Sequence, residues 1–325
     1  MCLSQGIRRR WVHGMKNGTG CTVSQSRTKT IRLALSICVG LLVLLVGGSL
    51  GFWGLKKRKF IKLKQKFFER NGGLLLGSVK NAKTFTAEDL KKATNNYHPT
   101  RVIGQGRFGV VYKGILQNNQ IVAIKKSKFC DQSQVAEFIN EISLLTTIIH
   151  KNIVRLLGFC LETEVPLLVY EYISNDTLFD QIHVQNSLLS WEKRMKIALE
   201  TANGLAYLHF KTEVPILHRD IKSSNVLLDN NFTAKIADFG ASRLKPIDET
   251  HLTTLVQGTL GYLDPEYFHT SQLTDRSDVY SFGVVAELIT GRKSVSSENP
   301  ECERNLAKLF VTAVNEEGID KILDD

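Results

Sequence analysis

Nowhere in its 325 residues does the chain hold a C-x-x-C pair, and its six cysteines (Cys2, Cys21, Cys38, Cys130, Cys160, Cys302) are scattered. That spacing argues against a metal scaffold and a disulfide framework alike, and a reducing compartment suits the four from Cys38 onward. Acidic side chains are nearly missing from the first 70 residues, where Glu69 stands alone against 15 Lys/Arg. The net charge of +10 is therefore local. Residues 71–325 carry 27 Lys/Arg against 31 Asp/Glu, a mildly acidic balance that reads as no nucleic-acid partner. Internal repeats and low-complexity tracts are absent too.

Charge is wholly missing from Leu33 to Leu55, "LALSICVGLLVLLVGGSLGFWGL". As a helix these 23 residues reach roughly 34 Å at about 1.5 Å per residue, enough for a hydrocarbon core of about 30 Å. The run is too long and starts too late for a cleaved signal peptide. The flanking "KKRKFIKLKQK" argues against a buried core helix. Lys/Arg counts leave the orientation tied, with seven in residues 1–32 and seven in 56–66. Asn17-Gly18-Thr19 fits a glycosylation acceptor and favours the N-terminus outside.

Beyond a polar linker, Thr86 and Asp89 in "FTAEDLKKATNNY" form a capping-box pattern for a helix. Short alternating runs from Val102 to Ser127 read as strands, with Asn118-Asn119 at a hairpin tip. Helical spacing then places Val135, Phe138, Ile142 and Leu145 on one stripe. Strands are expected at "IVRLLGF" and "PLLVYEY". Helices are expected at "SWEKRMKIALETANGLAYLHF" and, apolar around most of its circumference, at "SDVYSFGVVAELITG". A small strand-rich half thus precedes a larger helical one.

"VIGQGRFGVVYKG" carries Gly104, Gly106 and Gly109 in G-x-G-x-x-G spacing, with Gln105 between the first two. Two folds use that spacing against phosphates: a dinucleotide-binding turn that opens a helix, and a hairpin over ATP. Here Gly109 is followed by β-branched, alternating "VVYKG", so the hairpin is favoured. Bare backbone at the glycines lets N–H groups approach phosphates, and Phe108 at the tip would shield the γ-phosphate. In "VAIK", Lys125 shares a strand face with Ala123. Ala123 and Val111 would roof an adenine while Lys125 reaches the α- and β-phosphates. Glu141 on the next helix is placed to orient Lys125, and Glu137, one turn earlier, competes. "HRDIKSSN" then supplies Asp220 to accept a substrate hydroxyl proton, Lys222 to stabilise the γ-phosphoryl group, and Asn225 to hold one Mg²⁺. Asp238 of "DFG" would hold the other.

Together these motifs resemble a eukaryotic protein kinase over about Tyr97 to Asp325. The resemblance implies an α+β, bilobal fold with a small β-rich N-lobe and a larger helical C-lobe, preceded by one transmembrane helix. "LLVYEYI" becomes the hinge, with Tyr170 as gatekeeper, Glu171 C=O and Ile173 N–H as adenine contacts, and Leu227 as the adenine floor. Lys222 is typical of serine/threonine kinases. "GTLGYLDPEY" is similar to the substrate-docking segment of plant receptor-like kinases, with Thr259 near the acceptor and Asp264-Pro265-Glu266 replacing the usual Ala-Pro-Glu. Arg219 implies control by phosphorylation at Thr250, Thr253 or Thr254. More narrowly, "FFERNGGLLL", "FTAEDLKKATNNY" and "CLETEVPLLVYEYI" resemble the wall-associated receptor-like kinases. Unlike them, the chain has only about 32 residues before the apolar run, and its C-lobe is expected to lack the last two or three helices and the arginine that pairs with Glu266.

The organisation expected is an extracellular segment at 1–32, a transmembrane helix at 33–55, a basic juxtamembrane linker at 56–96 and a C-terminally truncated kinase domain at 97–325. The reading implies a serine/threonine kinase using ATP and Mg²⁺, with Mn²⁺ as a substitute. It sits single-pass in the plasma membrane with the kinase in the cytoplasm. Protein substrates, lipid contacts through the helix and basic segment, and pairing of chains for trans-phosphorylation complete its partners. The competing reading is a catalytically weak or inactive, membrane-anchored kinase-like binding module, or a partial chain.

Overall fold

The computed structural model describes residues 23–76, 82–106, 109–128, 132–185, 189–283, 286–295, 305–315 and 322–323. Asn17, Phe108, Val284 and Val285 lie outside the described residues. The chain forms two units, Met1–Lys62 and Leu63–Asp325.

Helix α1 (Val23–Arg70) contains the whole uncharged run and ends at the Asn71-Gly72 turn. Its apolar side chains are bare, with Leu44 71% and Trp53 74% exposed, which suits lipid and excludes a core helix. Among the described residues it is the helix long and apolar enough to cross a membrane.

The second unit starts with the end of α1, then α2 (Gly73–Leu76), β1 (Lys83–Thr84) and α3 (Ala87–Ala93). Thr86 caps α3, its Oγ1 accepting from the Asp89 N–H at 3.1 Å. Strands β2 (Val102–Gln105), β3 (Val110–Ile115) and β4 (Ile121–Lys126) lead to α4 (Gln132–Leu145), β5 (Leu156–Cys160) and β6 (Leu167–Glu171). The six strands form one sheet ordered β1-β5-β6-β4-β3-β2, with β1 parallel to β5 and the other pairs antiparallel.

Period-two alternation gives this sheet two buried faces. Val122, Ile124, Leu167 and Val169 pack with Phe85, Leu90 and Ala93 on one side. Leu168 and Tyr170 pack with Phe138, Ile142 and Leu145 of α4 on the other. The stripe expected for α4 is therefore its inward face, with Val135 partly buried beside it. Residues Lys83 to Ala93 fall in what the sequence reads as linker, yet they complete one side of the sheet's core. Gly158 makes that possible, because a β-carbon there would collide with the Lys83 carbonyl across the β1–β5 pair.

The helical half follows: α5 (Leu178–His183), α6 (Trp191–Phe210), β7 (Ile216–Leu217), β8 (Val226–Leu228), β9 (Ala234–Ile236), β10 (Arg243–Leu244), β11 (Leu252–Thr253), α7 (Pro265–Thr270), β12 (Gln272–Leu273), α8 (Asp275–Gly283), α9 (Ala286–Thr290) and α10 (Leu306–Asn315). The stretch "SDVYSFGVVAELITG", expected as one helix, is helical on both sides of the two residues outside the described ones, in α8 and in α9. Its apolar residues part company: Leu288 is fully buried, whereas Val279 is 55% exposed.

Candidate functional site

Between the sheet and the helical half lies a cavity of about 520 Å³. Its glycine-rich side is a hairpin: β2 and β3 pair antiparallel, with Gln105 opposite Val110 and the Gly106 N–H donating to Gly109 O at 3.0 Å. A β-carbon at Gly109 would come within 2.5 Å of the Lys126 carbonyl, so that glycine lets β3 lie against the end of β4. Gly104 and Gly106 have room for a β-carbon among the described residues, so packing there does not itself require glycine.

The cavity gathers Gly104, Gln105, Gly106, Gly109, Val111 and Ala123 from the hairpin and β4. Glu171, Ile173 and Leu227 line it beside the gatekeeper position, Tyr170. Lys125, Glu141, Lys222, Asn225 and Asp238 converge at its polar end. Asp220 lies immediately alongside, its Oδ2 accepting from Lys222 Nζ at 2.7 Å.

Lys125 Nζ donates to Glu141 Oε2 at 2.8 Å and to Asp238 Oδ1 at 2.6 Å. Glu141, not Glu137, is thus the partner. The Tyr170 hydroxyl donates to Glu141 Oε1 at 2.6 Å, a contact that gatekeeper spacing alone does not reveal. Burial works against the Lys125 charge, but Asp238 and then Glu141 outweigh it and hold the ammonium well above its ordinary range. Burial likewise opposes the Asp238 carboxylate, yet the Lys125 charge and hydrogen bond pull it below 3.8. Burial, then the Glu141 charge, push the Tyr170 phenol well up.

These directions fix a pH window. A depressed Asp238 stabilises the fold above its unfolded value and is lost as pH falls through the folded one. A raised Lys125 stabilises below its unfolded value and is lost as pH climbs through the folded one. The ion pair should therefore be constant from pH 7 to 9.5. Lys125→Met leaves Glu141 and Asp238 without their cation, so its urea midpoint should lie below that of wild type throughout that range, and equal midpoints would contradict the assignment.

Asp220 is engaged on both oxygens. Thr259 Oγ1 donates to Oδ1 at 2.6 Å, and Asn225 Nδ2 donates to Oδ2 at 3.2 Å and to the Asp220 carbonyl at 2.8 Å. Lys222 Nζ also reaches Thr259 Oγ1, at 2.8 Å. With its nitrogen committed to Asp220, Asn225 has its amide oxygen left as a ligand. One carboxylate (Asp238) with one amide oxygen suits a hard divalent cation that takes its remaining ligands from phosphates and water. No cluster of three or more His/Cys/Asp/Glu that would hold a metal by itself occurs among the described residues.

Asp278 holds this loop from below. Fully buried in α8, it accepts from the His218 and Arg219 N–H groups at 2.7 Å each, while His209 Nε2 lies 2.9 Å away. A lone acid within the otherwise apolar "DVYSFGVV" was the signal for it, since a buried charge needs partners. Arg219 contacts the Tyr267 hydroxyl at 2.9 Å, Thr254 Oγ1 at 3.2 Å and the Leu255 carbonyl. Of the three candidate threonines, Thr254 is the one in contact with Arg219; Thr250 contacts His251, and Thr253 lies in β11. Asp264, where the pattern usually has Ala, caps α7 by accepting from the Glu266 N–H at 3.0 Å. Glu266 is exposed and forms no ion pair among the described residues.

A family model described as protein kinase domain matches residues 97–321. The chain is 50% identical over 322 residues to wall-associated receptor kinase 3 of Arabidopsis thaliana, covering 96% of this chain and 43% of that protein. It is 52% identical over 304 residues to wall-associated receptor kinase 2 of the same plant, covering 90% and 42%. Wall-associated receptor kinase-like 1, also from that plant, is 52% identical over 301 residues, covering 89% and 41%. The chain thus spans about two fifths of the length of these relatives.

Proposed function

The chain belongs to the protein kinase family, and from that premise we propose that it is a membrane-tethered, receptor-like serine/threonine kinase. It would transfer the γ-phosphoryl group of ATP to hydroxyls of protein substrates. One observation carries this reading: Lys125, Glu141, Lys222, Asn225 and Asp238 meet at one end of a single cavity, beside Asp220, with the Lys125–Glu141 pair closed at 2.8 Å. A non-catalytic binding module has no use for every one of these positions being filled and paired.

In this reading the adenine lies between Val111, Ala123 and Leu227, against the backbone of Glu171 and Ile173. Lys125 draws in the α- and β-phosphates, and Glu141 and Tyr170 keep it aimed. Asp220 accepts the proton of the incoming hydroxyl, and Lys222 stabilises charge on the group in transit. Asn225 and Asp238 would hold Mg²⁺, which neutralises phosphate charge when bound. Thr254 is the favoured phosphorylation site, since a phosphate there meets Arg219. The folded kinase unit is taken to begin near Ala82 rather than Tyr97, because Phe85, Leu90 and Ala93 belong to its core.

The full chain in detergent with labelled ATP should place phosphate on serine and threonine alone. Label on tyrosine, or label undiminished in Asp238→Ala, would refute the assignment. ATP is cytosolic, so residues 56–325 are assigned to the cytoplasmic side of the plasma membrane. In sealed right-side-out vesicles, added protease should spare the kinase epitope; its digestion would reverse the orientation. Lipid contact by the Lys56–Lys66 segment and pairing of two chains for trans-phosphorylation belong to the same proposal.

A further inference from the structure

Two consecutive residues of α4 reach the backbone that follows Asp238, and only Glu141 has a part in the chemistry above. Its neighbour Asn140 extends a side-chain amide toward three carbonyls: Phe239 O at 3.4 Å, Gly240 O at 3.3 Å and Ser242 O at 3.0 Å. Glu141 Oε1 meanwhile accepts from the Phe239 N–H at 3.3 Å. Phe239, next in chain to Asp238, is therefore held at its N–H by one α4 residue and at its C=O by the other.

Asp238 needs such restraint. Its φ is +68°, in the left-handed region that a β-carbon disfavours, and such residues persist where their surroundings over-determine them. Lys125 restrains the side chain at 2.6 Å, but the backbone depends on what grips the next residues. Ser242 O has a second donor in Arg243 Nη1 at 2.7 Å, and Phe239 O accepts from the Ser242 N–H at 3.1 Å. Gly240 O has Asn140 alone among the described residues.

We propose that Asn140 is a positioning residue for Asp238. Its amide pins the Phe239–Ser242 backbone to α4, so that the Asp238 carboxylate faces the phosphate end of the cavity. The metal part of this proposal rests on the kinase reading; the backbone clamp does not, and it is measurable without nucleotide.

The test compares the full chain carrying Asn140→Leu, Asn140→Asp or Asn140→Gln. Leucine removes the donor while favouring the helix. Aspartate sets a carboxylate against carbonyl oxygens, and glutamine keeps an amide. Without nucleotide, amide hydrogen exchange across Phe239–Ser242 should quicken about tenfold or more in the Leu and Asp variants, with α6 unchanged. The divalent-ion concentration for half-maximal turnover should rise about 10-fold in the same two, the usual scale for losing a partner that orients a metal ligand. Asn140→Gln should recover most of both effects. Unchanged exchange in Asn140→Asp overturns the proposal, as does acceleration spread evenly over the fold, which would mark a merely structural role. Local acceleration in a chain that transfers no phosphate would support the clamp and refute only the kinase reading.

Discussion

Asp220→Asn should lower turnover by about 10²–10⁴-fold, the usual scale for removing a group that takes a proton in the transition state, with ATP affinity nearly untouched. The two quantities separate because Asp220 stands beside the nucleotide cavity rather than in its lining. Its carboxylate accepts from Thr259 and Lys222, which in the proposed reading would flank an incoming hydroxyl. Asparagine keeps the shape, and Asn225 keeps its 2.8 Å bond to the residue 220 carbonyl. What disappears is the proposed proton acceptor. Asp238→Ala should instead lose metal-dependent ATP binding. Single-turnover kinetics beside a fluorescent-nucleotide titration distinguish the two variants. Residual turnover equal to wild type in Asp220→Asn would exclude it as the acceptor.

Asp278→Ala should strongly destabilise the helical half. Its oxygens satisfy two buried backbone N–H groups and meet His209, and alanine leaves all three without partners. Each orphaned buried donor costs about 1–3 kcal/mol, so a loss on the order of 3–5 kcal/mol is expected. That is a large part of the about 5–15 kcal/mol that holds a domain together. The melting midpoint should fall by about 6–20 °C, taking 2–4 °C per kcal/mol for a domain of this size. Because the two N–H groups belong to His218 and Arg219, surviving folded protein should also show a slack catalytic loop and poor turnover. A melt within 2 °C of wild type would mean that the loop has other support.

Motif chemistry was legible in the sequence because its groups come in short, ordered strings. The glycine hairpin, Lys125, the Asp220–Asn225 loop and Asp238 were all named from spacing, and the geometry brings them together. Helical spacing put Glu141 and Glu137 on one face, and the 2.8 Å bond from Lys125 is what selects Glu141. The contacts that escaped are long-range. Asn140 reaches residues about 100 positions away, and the Tyr170–Glu141 bond joins a strand to a helix 29 residues earlier. Nothing local encodes such pairs. The stretch from Lys83 to Ala93 escaped for another reason: it is short and polar, with only Phe85, Leu90 and Ala93 turned inward, too few to show a period. Asp264 looked like a departure from pattern, whereas the structure shows it working as a helix cap.

The parallel pairing of Lys83 with Gly158 also sets a schedule for biosynthesis. Phe85 and Leu90 leave the ribosome first, yet their neighbours Leu167 and Val169 come about 80 residues later. At about 5–20 residues per second, those side chains wait roughly 4–17 s for somewhere to go. During that interval Phe85 and Leu90 stay uncovered on the nascent chain. Such a segment is a natural client for a chaperone.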